Sequence, residues 1–230
     1  MIKERLDKVR DRVRASAKSV GRTPDEIRLI AVSKRQPFEL LEEAYRLGVR
    51  DFGENTAQGL AQRVHDCESA GLRGIRWHFV GQLQSKKART VAPNSYLIHS
   101  LDRMSLAESL SRRSEEHATN VLLQVNIGQE SRKGGVSIHE VFEFANQVRG
   151  LPGLKVRGLM GMPPFGTDSA PYYRQLGTLF GQLSQQMEPN VFTELSMGMS
   201  GDFETAIRYG ATHVRVGTAI FGERPARSGQ

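Results

Sequence analysis

The sequence predicts a single (β/α)8 TIM barrel over residues 1–230, one domain with an additional helix at its N-terminus. Three observations predict it. Short apolar or β-branched runs alternate with helical stretches, the pattern of a parallel sheet. There are eight such runs, and a barrel of eight strand–helix units commonly needs about 200 residues. No linker, low-complexity tract or charge block divides the chain. A doubly wound sheet is the competing arrangement.

The elements follow in order. Ile2, Leu6, Val9 and Val13 form one apolar stripe at helical spacing, which makes the opening segment an amphipathic helix. The eight strand-like runs are Ile27–Val32, Val49–Gly53, Arg76–Gly81, Ser95–Ser100, Asn120–Ile127, Leu154–Met160, Phe192–Met197 and His213–Ile220. Pro37 suits a first helical position and Gly48 a helix end. Asp202–Tyr209 reads as a short helix closed by Gly210. Pro225 to Gln230 reads as a loose tail.

Composition narrows the function. With 38% hydrophobic residues the chain can build a sizeable core. No apolar run approaches the ~20 residues of a membrane span. The charged opening MIKERLDKVRDRVRASAK has no apolar h-region, so a secretory signal is not expected. One cysteine, Cys67, allows no intrachain disulfide, and the cytoplasm is the expected compartment. The net charge is +7, but much of the excess sits on the first helix among Glu4, Asp7 and Asp11, as on a solvated face. There is no zinc-finger spacing and no RNA-binding signature, so neither metal nor nucleic acid is expected.

In a barrel the chemistry sits at the C-terminal ends of the strands. Lys34 directly follows the apolar run Leu29-Ile30-Ala31-Val32. A lysine partly withheld from water keeps more of its neutral amine, the nucleophile that condenses with an aldehyde. The plain alternative is a lysine that snorkels from a strand end. The second group is Met197-Gly198-Met199-Ser200-Gly201-Asp202, leading from the seventh strand into a short helix. Its glycines admit close backbone approach, Ser200 offers a cap and a hydroxyl, and the helix amides suit a phosphate. An ordinary capped helix after a glycine turn is the alternative. Asp202 would repel a phosphate unless it serves its own helix amides. Gly217-Thr218 after the eighth strand adds a second loop, and barrel closure sets it beside Lys34. An amine, a phosphate cradle and the basic Arg215 together suggest a phosphorylated aldehyde cofactor, pyridoxal 5′-phosphate.

Six segments sharpen this reading: Ala31-Val32-Ser33-Lys34, Phe52-Gly53-Glu54-Asn55, Trp77 through Gln84, Arg157-Gly158-Leu159-Met160, Leu195 through Ser200, and Val214 through Gly222. With these the chain resembles the pyridoxal phosphate homeostasis protein family, whose fold is similar to the N-terminal barrel of alanine racemase. The resemblance implies an internal aldimine on Lys34, a phosphate held by Ser200, Gly201, Gly217 and Thr218, Arg215 near the pyridine nitrogen, and Asn55 beside the cofactor. It implies a carrier of free cofactor and not an enzyme, acting on apo PLP-dependent enzymes. A racemase or lyase is the runner-up. Two departures are Lys86 and Lys87 after Ser85, and Thr56 where the family often has tyrosine.

An arginine at the ring nitrogen would disfavour its protonation. The alternative for Arg215 is a structural pair with Glu194 or Glu223. Eight strands and their helices leave no room for a second domain, so the barrel mouth is expected to stay open, and a monomer is expected. His78 reads as a hydrogen-bonded core residue before a general base. Met160, Met162, Met197 and Met199 are expected to pack in the barrel or on the cofactor ring. Cys67 is expected to be inert, and Lys133 to be a solvated loop lysine.

Overall fold

The computed structural model describes residues 1–112, 118–130 and 134–223; Lys133 and the Pro225–Gln230 tail lie outside these. Eight parallel strands close into a barrel in sequence order, β1 to β8. They are β1 Arg28–Val32, β2 Asp51–Glu54, β3 Arg76–Phe79, β4 Leu97–Leu101, β5 Thr119–Val125, β6 Leu154–Gly161, β7 Glu194–Ser196 and β8 His213–Val216. Seven of the eight expected runs agree within two residues at each end. Closure is made by β1 against β8, with Ile30 opposite Arg215 and Ala31 opposite Val216.

The eighth run is the exception. The expectation carried it to Ile220, but β8 stops at Val216, and Thr218–Phe221 forms a helical turn, α9. The cause is tertiary. The Ser200 hydroxyl accepts from the amides of Gly217 (3.3 Å) and Ala219 (3.4 Å), which takes the chain out of the ladder.

The helices that matter for the site are α1 Ile2–Ser19, α2 Phe38–Arg46, α3 Ala57–Ser69, α7 Ala170–Ser184 and α8 Phe203–Arg208; α4 Ala88–Val91, α5 Met104–Ser111 and α6 Val141–Arg149 complete the outer layer. On α1 the expected stripe is buried: Ile2, Leu6, Val9 and Val13. Pro37 sits one position earlier than expected, as the residue before α2, with its fixed φ of −53° leading the chain in. Thr56 caps α3, its hydroxyl accepting from the Gly59 amide at 3.1 Å, so this departure from the family has a local role.

The main core lies between strands and helices. Phe52, Trp77, Phe79, Ile98, Leu123 and Leu159 point outward into it. Alternate residues point into the barrel. Leu97, Leu122 and Met160 form a small apolar cluster there, with Met162 packed on it. Much of the remaining interior is polar, including buried His78, His99, His213, Ser196 and Arg215.

Candidate functional site

At the C-terminal end of the barrel a cleft of about 820 Å³ opens, within the range of small-molecule sites. Its lining brings together Lys34, Ser200, Gly201, Arg215, Gly217 and Thr218. Asn55, the remaining candidate, is not among the lining residues. Its backbone is pressed against β3's end: a Cβ at Gly81 would meet the Asn55 carbonyl oxygen at 2.0 Å.

Lys34 follows β1 in a tight turn in which Gln36 N–H donates to the Ser33 carbonyl at 3.0 Å. Arg35 takes a left-handed φ of 60°, uncommon without glycine, and leaves Lys34 half-buried at the rim. Beneath the turn, Ser33 donates to Glu54 at 2.7 Å. Burial raises the Glu54 pKa, while Ser33, Arg63 and Lys34 partly oppose that rise.

Opposite Lys34 lies the loop from β7 to α8. Gly198 is required here for packing as much as for approach. Its φ is +92°, and a Cβ would stand 2.6 Å from the Ala206 Cβ. The expectation that Ser200 caps α8 is corrected: Asp202 is the N-cap residue, and Ser200 caps α9 instead, as above. Asp202 does not serve its own helix amides. Its carboxylate accepts from Tyr173 OH at 2.8 Å and from Met199 N–H at 2.7 Å. Among the described residues, the amides of Ser200, Gly201 and Thr218 meet no protein acceptor. Three amides and the hydroxyls of Ser200 and Thr218 therefore border the cleft, a donor set that fits a phosphate group.

Arg215 forms the floor. It is 5% exposed, and donates to Ser196 Oγ at 2.6 Å and to the Gly161 carbonyl at 3.4 Å. Burial pulls its pKa down, with Tyr173 and Asp202 partly offsetting this. It pairs with no carboxylate among the described residues: Glu194 is taken by Arg157 at 3.3 Å. The structural pairing considered from sequence is thus not formed.

Sequence reasoning reached only the start of one wall, at Met162. Met162 through Ser169, between β6 and α7, all line the cleft, and Phe165 is fully exposed there. Pro163-Pro164 and Gly166 mark this segment only as a turn, which hid its role. Met199 lines the cleft half-exposed, whereas Met160 and Met197 are buried. His78 is a hydrogen-bonded interior residue, between His99 and Asp51 at 3.0 Å each. Cys67 is buried, which pushes its thiol pKa up to about 11 and keeps it protonated. Among the described residues no group of His, Cys, Asp and Glu is arranged to hold a metal, and no helix is long and apolar enough to cross a membrane.

Comparison with known proteins gives consistent likenesses. The family model described as alanine racemase, N-terminal domain, matches residues 5–225. The pyridoxal phosphate homeostasis protein of Escherichia coli (strain K12) is 41% identical over 228 residues, covering 97% of each chain. The structure of PipY from Synechococcus elongatus PCC7942 with PLP bound superposes with a TM-score of 0.83 at 35% identity, covering 96% of this chain and 100% of that one. Alanine racemase from Corynebacterium glutamicum shares the fold, with a TM-score of 0.68 at 18% identity, covering 98% of this chain and 63% of that one.

Proposed function

This chain belongs to the pyridoxal phosphate homeostasis protein family, within the wider group of alanine racemase N-terminal domains, and we propose that it holds pyridoxal 5′-phosphate in the cleft and buffers or delivers it. One observation carries the reading: a lysine, three open amides and two hydroxyls border a single cleft whose floor is a buried arginine. A solved relative with 35% identity is described with PLP bound, which supports the same ligand here.

In this reading Lys34 supplies the amine that attaches the cofactor. Ser200, Gly201, Gly217 and Thr218 hold its phosphate, with Asp202 kept off by Tyr173. Arg215 faces the ring nitrogen, where a permanent positive charge disfavours protonation. Asn55, one residue beyond β2 on the neighbour of β1, remains a candidate contact. When bound, the cofactor supplies an aldehyde for amines and a ring that draws electrons. The arginine floor weakens that second property, which favours a carrier over an enzyme. Its recipients would be apo PLP-dependent enzymes, met by a monomer in the cytoplasm. The fold shared with alanine racemase favours one second reading, a PLP-dependent racemase or lyase using the same lysine.

Borohydride reduction of the PLP-loaded protein, followed by peptide mapping, tests the attachment. The expected result is one PLP-sized adduct on Lys34 and a visible absorption band that Lys34→Ala abolishes. An unmodified Lys34 would overturn the reading. Steady turnover of L- or D-amino acids would favour the enzyme.

A further inference from the structure

Inside the barrel, below the cleft, polar side chains from five strands touch in sequence. Arg215 Nη1 lies 2.6 Å from Ser196 Oγ. Ser196 Oγ lies 2.8 Å from His99 Nδ1. His99 Nε2 lies 3.0 Å from His78 Nδ1, and His78 Nε2 lies 3.0 Å from Asp51 Oδ1. These four groups behind Arg215 are all buried. The far carboxylate is itself clamped by Arg76 at 2.8 and 2.6 Å and approached by Arg28 at 3.4 Å.

We propose that Ser196, His99, His78 and Asp51 form a one-way hydrogen-bonded rod that positions the Arg215 guanidinium toward the cofactor. The direction follows from the two ends. Arginine only donates and an ionised carboxylate only accepts. With both imidazoles neutral, His78 must carry its proton on Nε2 to donate to Asp51. Its Nδ1 then accepts, so His99 carries its proton on Nε2. His99 Nδ1 then accepts from the Ser196 hydroxyl, which leaves the serine lone pairs for Arg215. Every atom in the line has one role, and both tautomers are fixed.

The surroundings favour neutral rings. Burial lowers the pKa of His78 despite Asp51, with Arg28 and Arg76 adding to the lowering. Burial also lowers His99 well below its ordinary value, helped by His78, His213 and Arg215. The third interior imidazole, His213, stands 5.9 Å from the His78 ring and 6.1 Å from the His99 ring, and burial holds it neutral too. A proton added to His78 would reverse the two middle bonds, His99 to His78 and Ser196 to His99, and turn a second N–H toward Ser196. The rod thus makes Ser196 and His99 positioning residues for Arg215. Its cofactor consequence rests on the reading given above, but its tautomers do not.

Long-range nitrogen-15 NMR of the imidazoles in the full chain, without cofactor and near neutral pH, tests the direction. The expected spectrum has Nε2 protonated and Nδ1 bare in both His78 and His99, assigned through His78→Asn and His99→Asn. A proton on Nδ1 of either ring, or an imidazolium, overturns the rod whatever the cofactor does. PLP titration of the folded variants tests the positioning. Ser196→Ala should weaken binding roughly tenfold, the scale of a lost hydrogen bond to a charged group, and should shift the absorption band. His99→Asn, which keeps an acceptor for the hydroxyl, should retain more affinity than His99→Leu. Ser100→Ala, at a buried hydroxyl without a partner among the described residues, should change neither. A Ser196→Ala protein with a lower melting temperature but unchanged affinity and band would show a merely structural serine and overturn the positioning role.

Discussion

His78, His99 and His213 are buried in the barrel with their pKa values lowered by burial, and this gives the fold a pH dependence of predictable sign. The unfolded chain takes up protons on these rings near pH 6.5, while the folded one does not. Below that pH the unfolded state binds more protons, so stability falls as the pH drops, by up to about 1.4 kcal/mol per pH unit for each ring. Asp51 acts in a lower window. Burial alone would raise its pKa, but Arg76 and His78 hold it far below the ordinary carboxylate value. Its contribution is present above about pH 4 and is lost on further acidification. Burial raises Glu54 and Glu194, which act with the opposite sign and lose stability as the pH rises through their range. Calorimetry from pH 7.5 to 5.5 should therefore show a falling melting temperature, with a shallower slope in His99→Asn; a flat profile would contradict the neutral rings. At this scale the rim was more legible than the interior. Lys34 and Ser200 stand beyond strand ends, where the chain must turn outward and expose function. His99 and Ser196 were not legible, because a polar residue within an apolar strand reveals nothing of the partner it meets across the barrel.

The strands were legible for a reason of the same kind. A parallel strand is covered by helices on one side and barrel on the other, so it reads as a short apolar run. That rule cannot see where β8 stops, since Val214 to Ile220 keeps one composition across a strand and a helical turn. The stop is set by the Ser200 hydroxyl, 17 residues earlier in the chain. The β7–α8 connection shows how tightly these elements are fitted. Gly198 holds φ +92°, and an added Cβ would meet Ala206 at 2.6 Å and the Phe203 Cα at 2.9 Å. Gly198→Ala should push α8 outward at a cost of about 1–3 kcal/mol, lower the melting temperature by several degrees, and weaken PLP binding through Ser200 and Gly201. Gly181→Ala is the matched control on α7, where nothing lies within 4 Å of the new methyl. It should leave affinity unchanged and stabilise slightly, by up to about 1 kcal/mol. Equal losses in the two variants would show that Gly198 has no special fit.

Across the molecule, α1 ties the opening of the chain to its last elements. Arg12 Nε meets the Glu204 carboxylate at 2.6 Å, and its guanidinium lies 4.5 Å from the centre of the Phe203 ring. Ser16 donates to the Glu204 carbonyl at 3.1 Å. Both partners belong to α8, and α1 also packs against α9. These are the two short helices that frame the proposed phosphate cradle, so α1 braces the site from behind without touching it. Leu6, on the buried stripe of α1, is fully buried. Leu6→Ala should cost about 2–5 kcal/mol, as large-to-small core cuts do. Leu106→Ala on α5, equally buried on another part of the outer layer, should cost a similar amount. Ligand separates the two. A cofactor at 100 times its Kd should stabilise a protein with an intact site by about 2.7 kcal/mol. Leu106→Ala should keep that full PLP-dependent rise in melting temperature. Leu6→Ala should show a smaller one at the same PLP concentration, because loosening α8 and α9 weakens the cradle as well as the fold. Identical rises in both proteins would mean that α1 covers the flank of the barrel and does not brace the site.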